Sequence, residues 1–111
     1  DKKFLSRIMI KEKGKISFVN AEEIKWLEAL DYYVRIHTAG STYLLRESLK
    51  QLEKSLDPDE FFRIHRSAIV KFNEIESLHT IPCGDYEVIL RDKTKLKLAR
   101  TRVHLLKEFL K

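Results

Sequence analysis

One cysteine, two prolines and three glycines in 111 residues are the scarcities of this sequence. A lone Cys83 excludes a disulfide framework within the chain and fits a reducing compartment, so the cytoplasm is the expected location. So few glycines leave no Gly-rich loop to cradle a nucleotide, and neither a Gly-x-Ser-x-Gly elbow nor a Cys-x-x-Cys pair occurs. His37, His65, His79 and His104 are scattered, with no i, i+4 pair of the kind that holds zinc. The pattern therefore predicts no catalytic residue, no metal and no cofactor. The purely apolar runs are only a few residues long, too short to span a bilayer as a helix or to serve as a signal peptide. No repeat, low-complexity tract or flexible linker interrupts the chain, so residues 1–111 read as one domain. It opens with Asp1 where a complete protein would have Met, and a longer parent is expected.

Positive charge is what the sequence has in excess. A net charge of +5 and a pI near 9.4 favour an anionic partner, of which nucleic acid is the commonest. The apolar fraction of 43% is enough for a core without staples.

Periodicity predicts mostly short strands. The segments 4–11 and 16–19, parted by Gly14-Lys15, form a hairpin, and 24–30, 33–38 and 42–46 follow, the last two around a turn at Ala39-Gly40-Ser41. In 33–38, Val34 and Ile36 alternate with Arg35 and His37, as a half-buried antiparallel strand requires. The period then changes to that of a helix at Leu49, Leu52 and Leu56, opened by a Ser48…Gln51 capping pattern and stopped at Asp57-Pro58. After 61–78 come strands at 75–81, 86–91 and 95–99. A closing helix is predicted with Thr101 as cap and Val103, Leu106, Phe109 and Leu110 on its apolar side. The fold class is mainly β, about eight to ten short strands with two short helices.

Three places concentrate groups suited to nucleic acid. In "DYYVRIH" (31–37), Tyr32 and Tyr33 sit at a corner beside Arg35, where hydroxyls and guanidinium can meet phosphate or base edges. Tyr33 could equally pack beneath the sheet. In "FFRIHRSAIV" (61–70), a bend carries Arg66-Ser67 between apolar flanks, with Arg63 and His65 facing outward. A solvated bend held by its own hydrogen bonds is the competing reading, and His65 either fixes that bend or touches phosphate. In "LARTRVH" (98–104), Arg100 and Arg102 flank Thr101 where a helix start usually prefers acids, an inversion that suits an external anion. The preceding lysines of "KTKLKLAR" (93–100) fit an exposed strand face.

In this order, "IKWLEALDYYVRIHT", "YLLRESLKQLEKSL", "FFRIHRSAIV" and "LKLARTRV" resemble the LytTR family of bacterial DNA-binding domains, from about residue 4 to 110. The resemblance implies an elongated stack of small antiparallel sheets that binds duplex DNA through loops entering two successive major grooves. It places those loops at the three clusters above. Tyr32, Arg66, Arg100 and Arg102 are then the base-contacting candidates. Tyr33, Arg35, Arg63, His65, Ser67, Lys71 and Thr101 are the phosphate-contacting candidates. Two positions depart from the family pattern: Lys71 stands where Asn is common, and Ala99 where Ser is. The resemblance further implies a transcription regulator, most simply a two-component response regulator with an N-terminal regulatory domain. It also implies target sites that are paired direct repeats, occupied by two copies of a domain that is monomeric or weakly associated alone. An RNA-binding β-rich domain and a basic protein-interaction module are the competing readings.

Overall fold

The computed structural model describes residues 3–109. Ten strands run β1 (Arg7–Glu12), β2 (Lys15–Asn20), β3 (Ile24–Leu30), β4 (Tyr33–Thr38), β5 (Thr42–Leu45), β6 (Phe61–His65), β7 (Ala68–Lys71), β8 (Ile75–Thr80), β9 (Tyr86–Leu90) and β10 (Lys95–Leu98). Two short helices, α1 (Leu49–Ser55) and α2 (Val103–Phe109), interrupt and close the chain. Three antiparallel sheets result: the hairpin β1-β2, a central sheet in the order β5-β4-β3-β7-β6, and a third in the order β10-β9-β8. They stack into a body of 48 × 32 × 23 Å, so the elongated, mainly β architecture read from the sequence is the one found. Among the described residues no helix is long and apolar enough to cross a membrane.

The stacking follows from side chains that alternate across the central sheet. Phe61, Ile69 and Leu27 point to one side, where Ile8, Ile10 and Val19 of the hairpin and Leu49, Leu52 and Leu56 of α1 complete a core. Phe62, Val70 and Trp26, their immediate neighbours in sequence, point to the other, against Val88, Leu90 and Leu98 of the third sheet and Leu106 of α2. Consecutive apolar pairs such as Phe61-Phe62 and Ile69-Val70 are therefore the signature of a sheet covered on both faces. Burying each such side chain contributes about 1.5–3 kcal/mol relative to leaving it in water.

Local chemistry sets the turns. The first hairpin turns at Lys13-Gly14, one residue earlier than the sequence suggested, since Glu12 pairs with Lys15 and both turn residues have positive φ, 44° and 77°. Such a turn matches the twist of its strands, and glycine adopts it without strain. Ser48 Oγ accepts from Gln51 N at 3.1 Å and so caps α1. The predicted Thr101 cap is corrected: α2 is entered through a one-turn 3-10 helix at Arg100–Arg102, with Arg102 N donating to Ala99 O at 2.9 Å. Thr101 lies inside that turn, and the position that could cap it is held by Ala99, which has no side-chain acceptor. On α2, Leu106 is buried and Phe109 stacks on Phe72, whereas Leu110 falls outside the described residues.

Lys71 is also corrected. Its side chain is not held out to phosphate; it is 6% exposed, with Nζ donating to Ala21 O at 2.7 Å and Glu22 O at 2.8 Å and lying over the Phe61 ring. Burial is the main cause of its lowered pKa, opposed by Glu60, Glu74 and Glu22. The lysine ties the end of β7 to the one-turn helix at Ala21–Glu23, nearly fifty residues earlier. Lys71→Ala should lower unfolding free energy by about 1–3 kcal/mol, because two carbonyls lose their donor. The salt dependence of DNA binding should stay unchanged, and a flatter salt slope in the variant would return Lys71 to phosphate binding.

Candidate nucleic-acid interface

The site is built by three turns that emerge at one end of the central sheet. The β6-β7 turn is Arg66-Ser67, closed by the pair His65↔Ala68. The β3-β4 turn is Asp31-Tyr32, closed by Leu30↔Tyr33, with Asp31 at φ 32°, a conformation that Asp tolerates better than most residues. Antiparallel pairing of β3 with β7, continued by Ala29 N donating to Ser67 O at 2.9 Å, sets these turns side by side. The third element arrives through a bulge. Arg63 pairs with Ile69 and His65 with Ala68, so Ile64 is the extra residue, and its carbonyl accepts from Ala99 N at 2.9 Å. That bond fixes the start of the Arg100–Arg102 turn beside Arg66-Ser67.

Between the β6-β7 turn and the third element runs an open groove of about 820 Å³, lined by Arg63, His65, Arg66, Ser67, Asp85, Lys97, Ala99, Arg100, Thr101 and Arg102. Its lining is positive, with Arg63, Arg66, Lys97, Arg100 and Arg102 against Asp85; the pKa of His65 is lowered first by burial and then by the charges of Lys97, Arg63 and Arg66. Arg66 and Thr101 are exposed, and among the described residues neither Arg66 nor Arg102 has an ion-pair partner. Tyr32 is 77% exposed and Tyr33 42%, so the structure leaves both rings accessible at the neighbouring turn.

Other residues expected to meet DNA are engaged with the protein itself. Arg63 lines the groove, yet its guanidinium donates to Arg66 O at 2.7 Å, His65 O at 3.4 Å and Glu53 Oε1 at 2.9 Å. It clamps the backbone of the Arg66-Ser67 turn from behind. His65 Nδ1 accepts from Ser67 N at 3.0 Å, which fixes the bend and puts the proton of the neutral ring on Nε2. Arg35 lies outside the groove, on the face of β4, 3.3 Å from Glu28 Oε1, an oxygen shared with His37. Arg100 is exposed but tethered, with Nε 2.6 Å from Asp85 Oδ1.

Two charged groove residues escaped the candidate set. Lys97 alternates on β10 with the inward Leu96 and Leu98, so its outward direction was legible; its place in the groove was not. Asp85 sits in a turn, and nothing local signals that β9-β10 pairing brings it to Arg100.

Comparison with known proteins accounts for this geometry. The family described as LytTr DNA-binding domain matches residues 14–111. The chain belongs to that family. It is a family of DNA-binding domains of transcriptional regulators, not of enzymes. The solved LytTr DNA-binding domain of a Bacillus cereus protein superposes with a TM-score of 0.83 over 96% of this chain and 97% of that one, at 22% identity. Similar relatives include the sensory transduction protein LytT of Bacillus anthracis, 32% identical over 86% of this chain. The positive alginate biosynthesis regulatory protein of Pseudomonas aeruginosa is 32% identical over 90%, and the transcriptional regulatory protein LytR of Staphylococcus aureus 31% over 78%. The chain spans only 39%, 40% and 35% of the lengths of these three.

The His65 bond gives a pH prediction. Its folded pKa lies below the ordinary 6.5, so the stabilisation from the neutral ring is complete above pH 6.5 and is lost as pH falls through the depressed folded value. Protonated Nδ1 can no longer accept from Ser67. Between about pH 7.5 and about pH 5, the wild-type Tm should fall more than that of His65→Asn, whose amide oxygen accepts without titrating. Equal falls would remove His65 from the acid dependence.

Proposed function

We propose that this LytTr domain reads duplex DNA with the turn end of its central sheet and thereby regulates transcription. The supporting observation is the convergence there of the β6-β7 turn and the Arg100–Arg102 turn around one positive groove, with the β3-β4 turn set beside them. Arg66 and one of Arg100 or Arg102 reach base edges in the major groove, with Tyr32 as a further reader from the adjacent turn. Ser67, Thr101, Lys97 and Tyr33 contact phosphates, while Arg63 and His65 hold the reading turn in shape. The turns enter successive major grooves, and two copies occupy paired direct repeats.

In the parent protein the domain is the output module of a cytoplasmic response regulator, and dimerisation belongs largely to the rest of that chain. The domain alone is monomeric or weakly associated. Its fit to a longer regulator is supported by the share of each relative that it covers.

Selection from a random duplex library at two salt concentrations tests this reading. One short motif should be enriched and should persist at the higher salt. Arg66→Ala should then cost about 1–3 kcal/mol on that motif and relax one base preference. Lys97→Ala should weaken all sequences alike and reduce the salt slope by about 1. Uniform binding that vanishes with salt, or displacement of the duplex by single-stranded RNA, would reject base readout.

A further inference from the structure

An acid inside a groove for DNA calls for a reason, because a carboxylate there repels every duplex. Among the described residues, Asp85 is the one acid lining this groove. Its position is tightly built. The turn before β9 is closed by Gly84 N donating to Ile81 O and Ile81 N donating to Asp85 O, both at 2.9 Å, with Gly84 at φ 88°. The next residue, Tyr86, pairs with Leu98 at the end of β10, so Asp85 sits opposite the departure of the chain toward Arg100.

The contacts are specific in a way a chance surface ion pair is not. Asp85 Oδ1 accepts from Arg100 Nε at 2.6 Å, Asp85 Oδ2 accepts from Cys83 Sγ at 3.3 Å, and Arg100 Nη2 donates to Cys83 O at 3.3 Å. Nε and Nη2 form the side edge of a guanidinium, so that edge is held by one carboxylate and one carbonyl. The end edge, carrying Nη1 and the second Nη2 hydrogen, is left to pair with two acceptors such as guanine O6 and N7. The Asp85 side chain is 19% exposed and that of Arg100 68%, so the anchor is sheltered and the anchored group faces solvent.

We propose that Asp85 is a positioning residue that aims Arg100 at one base of the DNA site, exchanging some affinity for every duplex against discrimination at that base. This rests on the reading of Arg100 as a base contact. Held by its side edge, Arg100 presents one donor pattern; released, it samples many rotamers and is free to pair with any phosphate in reach.

Library selection and binding titrations on Arg100→Ala, Asp85→Ala, Asp85→Asn and the double variant test the inference, with thermal unfolding to confirm that each is folded. Arg100→Ala and Asp85→Ala should each lose at least about tenfold preference at the same base position. The double variant should lose no more there than Arg100→Ala alone. Asp85→Ala should also bind unrelated duplexes more tightly with a steeper salt slope, and Asp85→Asn, which can still accept from Nε, should keep the base preference. Unchanged preference in Asp85→Ala, or a loss at a base other than the Arg100 base, overturns the positioning role while leaving Arg100 a reader. Unchanged preference in Arg100→Ala overturns the Arg100 reading and the inference with it.

Discussion

A strand buried on both faces has no side chain to offer a ligand. In β7, Ala68, Ile69, Val70 and Lys71 are all buried, and in β6 Phe61, Phe62 and Ile64 are as well. This part of the central sheet thus serves as the partition between two cores, and only its ends remain for recognition. On the proposed reading this one constraint sends the binding groups into turns, where a short loop is positioned by a rigid scaffold. It also lets, on that reading, a DNA-binding domain of this size work without a recognition helix. Its helices close the cores, Leu49 and Leu52 of α1 on one side and Leu106 of α2 on the other.

Precision at the turn end comes from a small set of polar contacts that tie the turns to the cores. The bulge at Ile64 frees a carbonyl for Ala99 and so couples the third sheet to the central one. Arg63 and His65 bind the backbone of the turn between them and leave the Arg66 side chain exposed. Asp85 does for Arg100 what Arg63 does for the Arg66 turn, through a side chain instead of the backbone. The Arg66 turn and Arg100 thus each have a partner behind them, and the solvent side of the groove is left positive. Arginine suits this arrangement because its fork can be gripped on one edge while the other stays open.

Much of this was legible in the sequence where the signal is local. Alternation in 33–38 marks β4, the leucine spacing marks α1, and the apolar flanks Phe61-Phe62 and Ile69-Val70 mark where the chain enters the core, though not that both faces of those strands are covered. The turns at Tyr32, at Arg66-Ser67 and at Arg100–Arg102 were picked out by charge and chemistry alone. What stayed hidden depends on partners far along the chain. Lys71 looks like a surface cation until the carbonyls of Ala21 and Glu22 arrive over it. Arg63 looks like a phosphate clamp until Glu53 and the Arg66 carbonyl enclose its guanidinium. The helix start misled for a subtler reason: Thr101 has the chemistry of a cap, but the 3-10 turn begins one residue before it.

The central claim is that one end of the sheet, and no other surface, faces DNA. Amide chemical-shift mapping during titration with a selected duplex tests it most directly. The account predicts that the largest changes fall at 31–33, 65–67 and 97–102, with the outer face of the β1-β2 hairpin, where Met9, Ile16 and Phe18 are exposed, left unmoved. Changes centred on that hairpin face, with the three turns silent, would contradict it.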